Sequence, residues 1–338
     1  MKSEIKLFKP KHIALAILYI VLNTIALSGC ENPPSSATSM PELQPTQIPS
    51  RADAIPEDAI KMTAEKDANP PILHSDEWFT PVPMEGPINT AGAEDSPFIS
   101  PDGNIFTFVF VPDVRVPPEK QLLDGVSGIY ITKKMDGVWT EPERIVLQEP
   151  GKVSLDGCQF LQGDVLWFCS AREGNYRGVD IWRAEFRDGR WLNWDNAGEQ
   201  FNVEYQMGEF HFTADWKTIY FHSDREGGSG EYDIWVTHMV DGLWTQPENV
   251  REVNTDSFDS RPFVTQDGNE LWITRTYLGT PGIFRSRWTG KVWSEPELIL
   301  SQFAGEPTLD VEGNLYFIHH YVIDDAIIEA DVYVAYHK

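Results

Sequence analysis

The chain has 338 residues, of which 52 are Asp or Glu and 27 are Lys or Arg, so its formal net charge at pH 7 is −25. The first 29 residues hold four lysines and one glutamate, and the rest of the chain therefore carries a charge near −28. The sequence lacks a basic stripe that could neutralise phosphates, which excludes nucleic acid and argues against an anionic lipid surface as partner. The acidity favours solubility and permits a cationic or neutral ligand.

The N-terminus predicts an export signal. A basic start is followed by an apolar run over residues 13–27, which is shorter than the roughly 20 residues of a membrane-spanning helix. Residues 27–30, Leu-Ser-Gly-Cys, resemble the lipobox of bacterial lipoproteins. That resemblance implies a signal peptide over residues 1–29, cleavage before Cys30, and lipidation of Cys30 with palmitate-type chains. An uncleaved anchor helix is the alternative.

The segment after Cys30 predicts a disordered tether. Residues 31 to about 76 are rich in Pro, Ser, Thr and Ala and hold few large apolar side chains. Such a segment buries too little surface to offset its chain entropy. The predicted domains are therefore 1–29, the signal peptide; 30–76, the lipidated cysteine and tether; and 77–338, a globular domain.

A repeat organises the globular part. Trp-x-x-Pro occurs at residues 78–81, 139–142, 244–247 and 293–296, and a degenerate copy at Trp191 has Trp194 in place of the proline. Counted from Trp139, the tryptophans recur after 52, 53 and 49 residues. Each repeat holds short β-branched and aromatic runs between Asp-Gly and Gly-rich turns, which predicts four antiparallel strands. Four strands per fifty residues is typical of a propeller blade.

The repeats number five, and the first Trp-x-x-Pro lies outside their order. The units begin near residues 94, 154, 206, 259 and 304, and the fifth reaches Lys338 after only three strands. Residues 77–90 carry the missing fourth-strand pattern. The sequence thus predicts an all-β, five-bladed β-propeller of four-stranded antiparallel blades. An N-terminal strand completes the last blade and closes the ring, which removes exposed sheet edges.

Three motifs carry a family resemblance. Residues 100–103 (Ser-Pro-Asp-Gly), residues 223–230, and Asp-Ile-Trp at 180–182 and 233–235 resemble the WD-like (Pro-Asp) propeller repeats of TolB-type periplasmic proteins. The resemblance covers about 260 residues and all five units. It implies the fold but no activity, since such repeats occur in binding, scaffolding and unassigned envelope proteins. TolB itself is six-bladed with a separate N-terminal domain, so a TolB role is not carried over.

Two cysteines follow Cys30. Cys158 and Cys169 flank a predicted two-residue turn at Gly163-Asp164, and counting outward from that turn places them opposite each other. An exported chain could oxidise them. Two buried apolar thiols are the favoured interpretation, and the disulfide stays open.

One face of the predicted propeller is the candidate binding face. Antiparallel order puts the second-to-third loops and the blade crossings on that face, including an insertion between Val111 and Ser127. The candidate ligand-binding residues there are charged: Glu94, Asp95, Arg172, Glu209, Arg225, Asp259, Arg261 and Glu306. They have three interpretations: acids paired with arginines for structural reasons, a site for a ligand or cation, and catalysis. Catalysis would use two of Glu94, Glu209, Asp259 and Glu306 about 5–10 Å apart.

Other side chains are given structural roles. The equal spacings Arg172 to Asp180 and Arg225 to Asp233 predict a repeated ion pair that braces a loop. Trp194 and Trp216 lie outside the repeat and are predicted to be exposed. The histidines have no metal-ligand spacing, and the sequence lacks a Ser nucleophile elbow, a P-loop and a dinucleotide fingerprint. Neither a metal nor a cofactor is predicted.

These patterns favour a cell-envelope lipoprotein whose propeller binds or scaffolds a protein or glycan without catalysis. The lipid anchor would be its only membrane contact, with the propeller on the periplasmic or extracellular side. The alternative is a carbohydrate-active enzyme, a glycoside hydrolase or lyase, with its carboxylates at the mouth of the channel.

Overall fold

The computed structural model describes residues 49–338, which form an all-β fold of antiparallel sheets. Helical segments in this part of the chain are short: Arg51–Ala54, Pro118–Gln121 and a π-helical turn at Gln200–Glu204. No helix between residues 49 and 338 is long and apolar enough to cross a membrane. The predicted signal peptide and Cys30 lie outside the described residues.

Within residues 49–338 the strands form four sheets, and in the largest, of nine strands, a parallel pair between Ala330 and Ala93 joins the last repeat to the first. The strands follow the five sequence repeats, here called units 1 to 5, and are preceded by two short strands, β1 (Ile72–Leu73) and β2 (Val82–Pro83). Unit 1 has β3 (Ala93–Ile99), β4 (Ile105–Val111), β5 (Gly128–Met135), β6 (Val138–Trp139) and β7 (Glu143–Arg144). Unit 2 has β8 (Ser154–Gln162), β9 (Val165–Arg172), β10 (Asp180–Arg187) and β11 (Arg190–Asn196). Unit 3 has β12 (Phe210–Phe212), β13 (Thr218–Ser223), β14 (Asp233–Val240), β15 (Leu243–Trp244) and β16 (Glu248–Asn249). Unit 4 has β17 (Asp259–Val264), β18 (Glu270–Tyr277), β19 (Thr280–Arg287) and β20 (Glu297–Ser301), and unit 5 has β21 (Ala304–Leu309), β22 (Leu315–Ile323) and β23 (Ala326–Ala335).

Local turn chemistry explains the hairpins. In units 1, 2 and 3 the third and fourth strands are joined by Asp-Gly pairs, in which both residues have positive φ: Asp136, Asp188 and Asp241 at 50°, 52° and 51°, each followed by glycine. A two-residue hairpin of this kind requires positive φ at both positions, and Asp and Gly tolerate it best. The predicted turn at Gly163-Asp164 is present as well, with Gln162 paired to Val165.

The N-terminal Trp-x-x-Pro segment lies against the outer edge of unit 5. Val82 and Pro83 pair with Val334 and Tyr333 of β23, and Trp78 bridges His337 in the same antiparallel sense. The first strands β3, β8, β12, β17 and β21 are neighbours in that order, and β21 lies beside β3. Residues 78–84 therefore pair along the edge of β23 that β22 leaves open.

A β-bulge recurs in the first strands. The register of β3, β8, β17 and β21 shifts by one residue, and at each shift one non-glycine residue has φ between 48° and 57°: Ser96, Cys158, Arg261 and Glu306. A bulge bends the strand and re-aims its side chains. It also corrects the cysteine prediction: Cys169 pairs with Gly157 and not with Cys158, and both thiols are free and buried.

Residues 51–74, here called the strap, differ from the prediction of a disordered tether to residue 76. The Arg51 side chain is buried and donates to the Ile88 carbonyl at 2.8 Å. Further along, Asp67 pairs with His319 at 2.8 Å, and Ile72 pairs with Ser301 of β20. The strap therefore crosses units 1, 5 and 4 on the face of the second-to-third loops. Polar contacts hold it, which explains why its low apolar content predicted disorder.

The strap is anchored at its centre by Lys61. Its Nζ lies 2.5 Å from Glu329 Oε1 and 2.6 Å from Asp331 Oδ1, and the side chains of both acids are almost fully buried. Burial would lower the pKa of Lys61, but the carboxylates of Asp331 and Glu329 outweigh it and raise that pKa. The ammonium group therefore stays charged and lies against two buried acids, of which burial raises the pKa of Glu329 to about 7.

Replacing Lys61 with methionine is expected to release the strap locally. Two buried carboxylates would lose their cation, so opening of residues 58–68 should become at least about tenfold more frequent, or about 1.4 kcal/mol easier. Amide hydrogen exchange of strap peptides measures this directly. Lys66→Met, at an exposed position of the same segment, is the control and should leave exchange unchanged. Equal exchange in both variants would contradict the anchoring role.

Candidate functional site

The five first strands surround a small cavity. Its volume is about 50 Å³. Every unit contributes to its lining: Ser96, Pro97 and Phe98; Cys158 and Gln159; Glu209, Phe210 and His211; Arg261, Pro262 and Phe263; Glu306, Pro307 and Thr308. The residues of the four bulges thus point to one central site.

Arg261 joins two glutamates across this cavity. Its Nε lies 2.6 Å from Glu306 Oε1 and 3.2 Å from Glu209 Oε1, and none of the three side chains is more than 12% exposed. A third acid near Glu306, Asp95, accepts from the Ser96 amide at 2.8 Å. Three acids therefore meet one guanidinium, and we call Asp95, Glu209, Arg261 and Glu306 the channel cluster.

Burial shifts the titration of the channel cluster. Desolvation raises the pKa of Glu209 to about 7 and that of Glu306 to about 7, although Arg261 opposes both shifts. Desolvation likewise raises the pKa of Asp95, again against Arg261. The excess of acids over cations means that the cluster holds protons near neutral pH.

Three histidines near the axis are neutral: His211 and His222 are buried, and His320 is partly buried. Burial lowers the pKa of His211, His222 and His320 to about 3 each. The His222 Nδ1 lies 3.4 Å from the Arg261 amide, which donates to it. These rings therefore pack and accept hydrogen bonds, and they add no positive charge to offset the channel acids.

Two predicted site residues, Glu94 and Asp259, lie outside the channel cluster. Glu94 accepts from the amide and the hydroxyl of Thr90, at 2.8 and 2.6 Å, and burial raises its pKa to about 8. Asp259 accepts from the Thr255 amide at 2.7 Å and from Arg275 Nε at 2.5 Å. Both acids brace the loop that enters their unit.

The predicted ion pairs of Arg172 and Arg225 are wrong. Arg172 pairs with Asp156 at 2.6 Å, and its guanidinium lies 4.8 Å from the ring centre of Trp182. Arg225 lies 4.9 Å from the ring centre of Trp235 in the same way. The equal spacing reflects a repeated stacking of arginine on tryptophan, at positions removed from the channel cluster.

The aspartates of those predicted pairs brace their loops through backbone amides. Asp180 accepts from the amides of Tyr176 and Arg177, at 2.7 and 3.1 Å. Asp233 accepts from those of Ser229 and Gly230, at 2.5 and 2.9 Å. The loop-bracing role predicted for these two acids is therefore present, with different partners.

The prediction that Trp194 and Trp216 are exposed is also wrong. Both are partly buried against the core. Trp216 packs on Phe160 and Phe212, with ring centres 5.8 and 4.9 Å apart. Trp194 and Trp216 therefore pack against the core although they lie outside the repeat.

Sequence analysis missed two residues that line the cavity and one loop-bracing acid. Ser96 and Cys158 line the cavity, and Asp156 is a loop-bracing acid like Glu94 and Asp259. The repeat held the signal. One repeat position is occupied by Ser96, Cys158, Glu209, Arg261 and Glu306, and the position two residues earlier is occupied by Glu94, Asp156 and Asp259.

The channel cluster is an ion-paired group in a narrow space. Among residues 49–338, no group of three or more His, Cys, Asp or Glu side chains is placed to hold a metal ion. The fold and the cavity define the class: an all-β protein of repeated antiparallel units, whose first strands surround an acid–arginine cavity.

Comparison with known proteins adds structural likenesses only. No protein-family model and no curated protein matches the sequence. Among solved structures, TolB from Acinetobacter baumannii aligns at 14% identity and a TM-score of 0.40, over 74% of this chain and 55% of TolB. A protein of unknown function from Dyadobacter fermentans aligns at 12% and 0.45, over 80% and 99%. A xylan β-1,4-xylosidase from Bacillus halodurans aligns at 12% and 0.46, over 74% and 54%. The chain spans about half the length of TolB and of the xylosidase, and TM-scores below 0.5 assign no activity.

Proposed function

We propose that this chain is an exported, lipid-anchored five-bladed β-propeller that binds a protein or glycan partner at the cell envelope without catalysis. The observation that carries the proposal is the state of the channel cluster. Its acids are paired with Arg261 in a cavity of about 50 Å³, whereas pockets for small ligands measure roughly 300–1,000 Å³.

The five-bladed architecture is supported by neighbour relations. The first strands follow one another around the cavity, and β21 lies beside both β17 and β3. Residues 78–84 pair with β23 where a fourth strand belongs. In the proposed ring this strand closes unit 5 and joins the N-terminal part of the domain to its last strand. The domain would then comprise residues 49–338, strap included.

The alternative, a carbohydrate-active enzyme, needs two carboxyl groups that are free to face a sugar ring. A glycoside hydrolase places two carboxyl groups about 5–10 Å apart on either side of a sugar bond. Here Glu209 and Glu306 share the same guanidinium nitrogen. A cavity of about 50 Å³ holds a few water molecules, at roughly 10–15 Å³ of accessible space each, and has no room for a sugar ring. The paired acids favour binding elsewhere on the domain.

The loop face of units 1 to 3 is the proposed binding surface. The strap occupies this face at units 1, 5 and 4. Exposed apolar side chains lie in the loops that it leaves open: Leu123, Val153, Tyr176 and Val203. Loops on a rigid scaffold are where binding residues concentrate.

A paired screen tests the proposal. The purified full-length protein is applied to glycan and envelope-protein arrays and incubated with a panel of polysaccharides, and we expect binding without release of sugar. Replacing Tyr176 with alanine should weaken that binding, whereas Glu209→Gln with Glu306→Gln should not. Hydrolysis that disappears in the Glu209→Gln, Glu306→Gln variant would establish the enzyme alternative.

The anchor has its own test. Replacing Cys30 with serine removes the thiol that the lipobox resemblance marks for lipidation, so the protein should move from the membrane fraction to the soluble envelope fraction. Ser35→Ala, a neighbouring change that keeps the cysteine, should stay with the membrane. A Cys30→Ser protein that still sediments with membranes would contradict lipid anchoring.

A further inference from the structure

The strap inserts two basic side chains into the face that it crosses. Between residues 49 and 77 only Arg51 and Met62 are buried, and Lys61, next to Met62, reaches two buried acids. Strand pairing of this segment with the units begins only at Ile72. Residues 49–71 are therefore held to the domain mainly by side-chain contacts.

The Arg51 guanidinium occupies an aromatic cage in unit 1. Its carbon atom lies 5.4 Å from the ring centres of Phe108 and Phe110 and 5.7 Å from that of Tyr130. Its Nη1 atom lies 3.5 Å from Glu94 Oε1, whose side chain is fully buried. Aromatic faces and a carboxyl group are the groups that recognise a cation in proteins, so this cage is built for a guanidinium.

Lys61 occupies a second pocket beside the first. Units 1 and 5 meet here through their parallel strand pair, which places Glu94 near Asp331. The Lys61 ammonium lies against Asp331 and Glu329, and Glu329 Oε2 also accepts from the Met62 amide at 2.7 Å. The two pockets therefore form one continuous surface, in which the strap supplies both cations and covers all three acids.

We propose that the strap is a displaceable intramolecular ligand, and that the surface beneath it binds an extended protein segment that presents an arginine and a lysine. The cage and the acids recognise the two cations and leave most of the bound backbone exposed, as they do for the strap. The net charge of −25 attracts a cationic segment and opposes a second copy of the chain as partner. This surface lies apart from the open loops of units 1 to 3, so binding at the two places can fail independently.

The attachment of the strap sets the terms of competition. A flexible tether holds a ligand at an effective concentration on the order of millimolar, so the strap lowers the apparent affinity of any free segment for the same pockets. A segment with few buried groups opens locally at much lower free energy than the sheets unfold. A partner therefore binds when the strap opens, without disruption of the units.

The test is fluorescence anisotropy with a labelled peptide of residues 49–68, titrated with the full-length protein. The receiving variant is Arg51→Ala with Lys61→Met, whose own strap lacks both cations. We expect saturable binding to this variant and at least tenfold weaker binding to the parent, where the resident strap competes. A peptide that carries the same two substitutions should bind the variant at least tenfold more weakly. A Lys66→Met peptide, which loses an exposed cation, is the matched control and should bind like the original.

A second peptide tests the kind of partner. It keeps Arg51, Lys61 and Met62 in place and shuffles the other residues, and it should bind the variant within about tenfold of the original peptide. In the parent, an excess of the shuffled peptide should speed amide hydrogen exchange of residues 52–66 at least tenfold, because it holds the strap open. This last measurement needs no substitution in the protein.

Circular dichroism and melting temperature establish that the variant is folded. Four results would overturn the proposal: no saturable binding of the original peptide to the folded variant, equal binding of the doubly substituted peptide, equal affinity of parent and variant, or loss of binding on shuffling. Strap exchange in the parent that excess peptide leaves unchanged would overturn it as well, and would show that the strap is a fixed part of the fold.

Discussion

Replacing Trp78 with alanine is expected to lower the free energy of unfolding by about 3–5 kcal/mol. The side chain is 2% exposed and packs edge-on against Trp272 at 5.6 Å. Its Nε1 donates to the Gly313 carbonyl at 2.8 Å, and the Arg285 guanidinium lies 5.1 Å from its ring centre. One residue thus joins the N-terminal strand to units 4 and 5. Urea denaturation measures the change.

The neighbouring position supplies the control for this prediction. Phe79 is 56% exposed in the same segment, so Phe79→Ala should cost less than about 1 kcal/mol. Deleting residues 77–90 should destabilise the whole domain in a single transition, since the outer edge of β23 would be left open. A Trp78→Ala protein as stable as the Phe79→Ala protein would show that the segment adds little to the stability of unit 5.

Replacing Arg261 with methionine is expected to destabilise the domain by about 3–5 kcal/mol at pH 8, because Glu209 and Glu306 would lose their buried cation. The pKa values of these two acids, both about 7, lie above their ordinary value of 4.5. Between pH 4.5 and about pH 7 the folded protein binds more protons than the unfolded chain, so the free energy of unfolding falls as pH rises. Without Arg261 the folded pKa values rise further, and the fall steepens and extends above pH 7.

Denaturation at pH 5 and pH 8 tests whether the stability falls as pH rises. The Arg261→Met loss should be clearly smaller at pH 5, where the glutamates take up protons. Adding Glu209→Gln and Glu306→Gln to the variant should flatten the pH dependence and restore part of the stability at pH 8. A loss that is equal at both pH values would contradict the account of the channel cluster as a buried excess of acid.

The sequence predicted the features that depend on local turn chemistry or on the repeated spacing. The hairpins at Asp136, Asp188 and Asp241 follow from the positive φ that their turns require. The position of Trp78 beside His337 followed from counting strands across the repeat. Both inferences needed only neighbours in sequence or a repeated spacing.

Tertiary arrangement decided the rest. The bulge at Cys158 shifts the register by one residue, and nothing in the composition of β8 marks it. The strap is held by charges, as at Lys61, so a scale based on apolar content misses it. Glu94 and Glu306 both lie in a first strand, yet Glu94 braces a loop and Glu306, two positions later in the repeat, belongs to the channel cluster.

The pairing of residues 78–84 with β23 also sets an order of events for the chain. About 260 residues separate Trp78 from His337, and Lys338 donates its amide to the Glu77 carbonyl. During synthesis Trp78 emerges long before its partner His337. The contact between residues 78–84 and β23 cannot form before unit 5 is complete, and contacts of such long sequence separation make folding slow. An assay that follows only the first four units would score the domain as folded before its two ends have met.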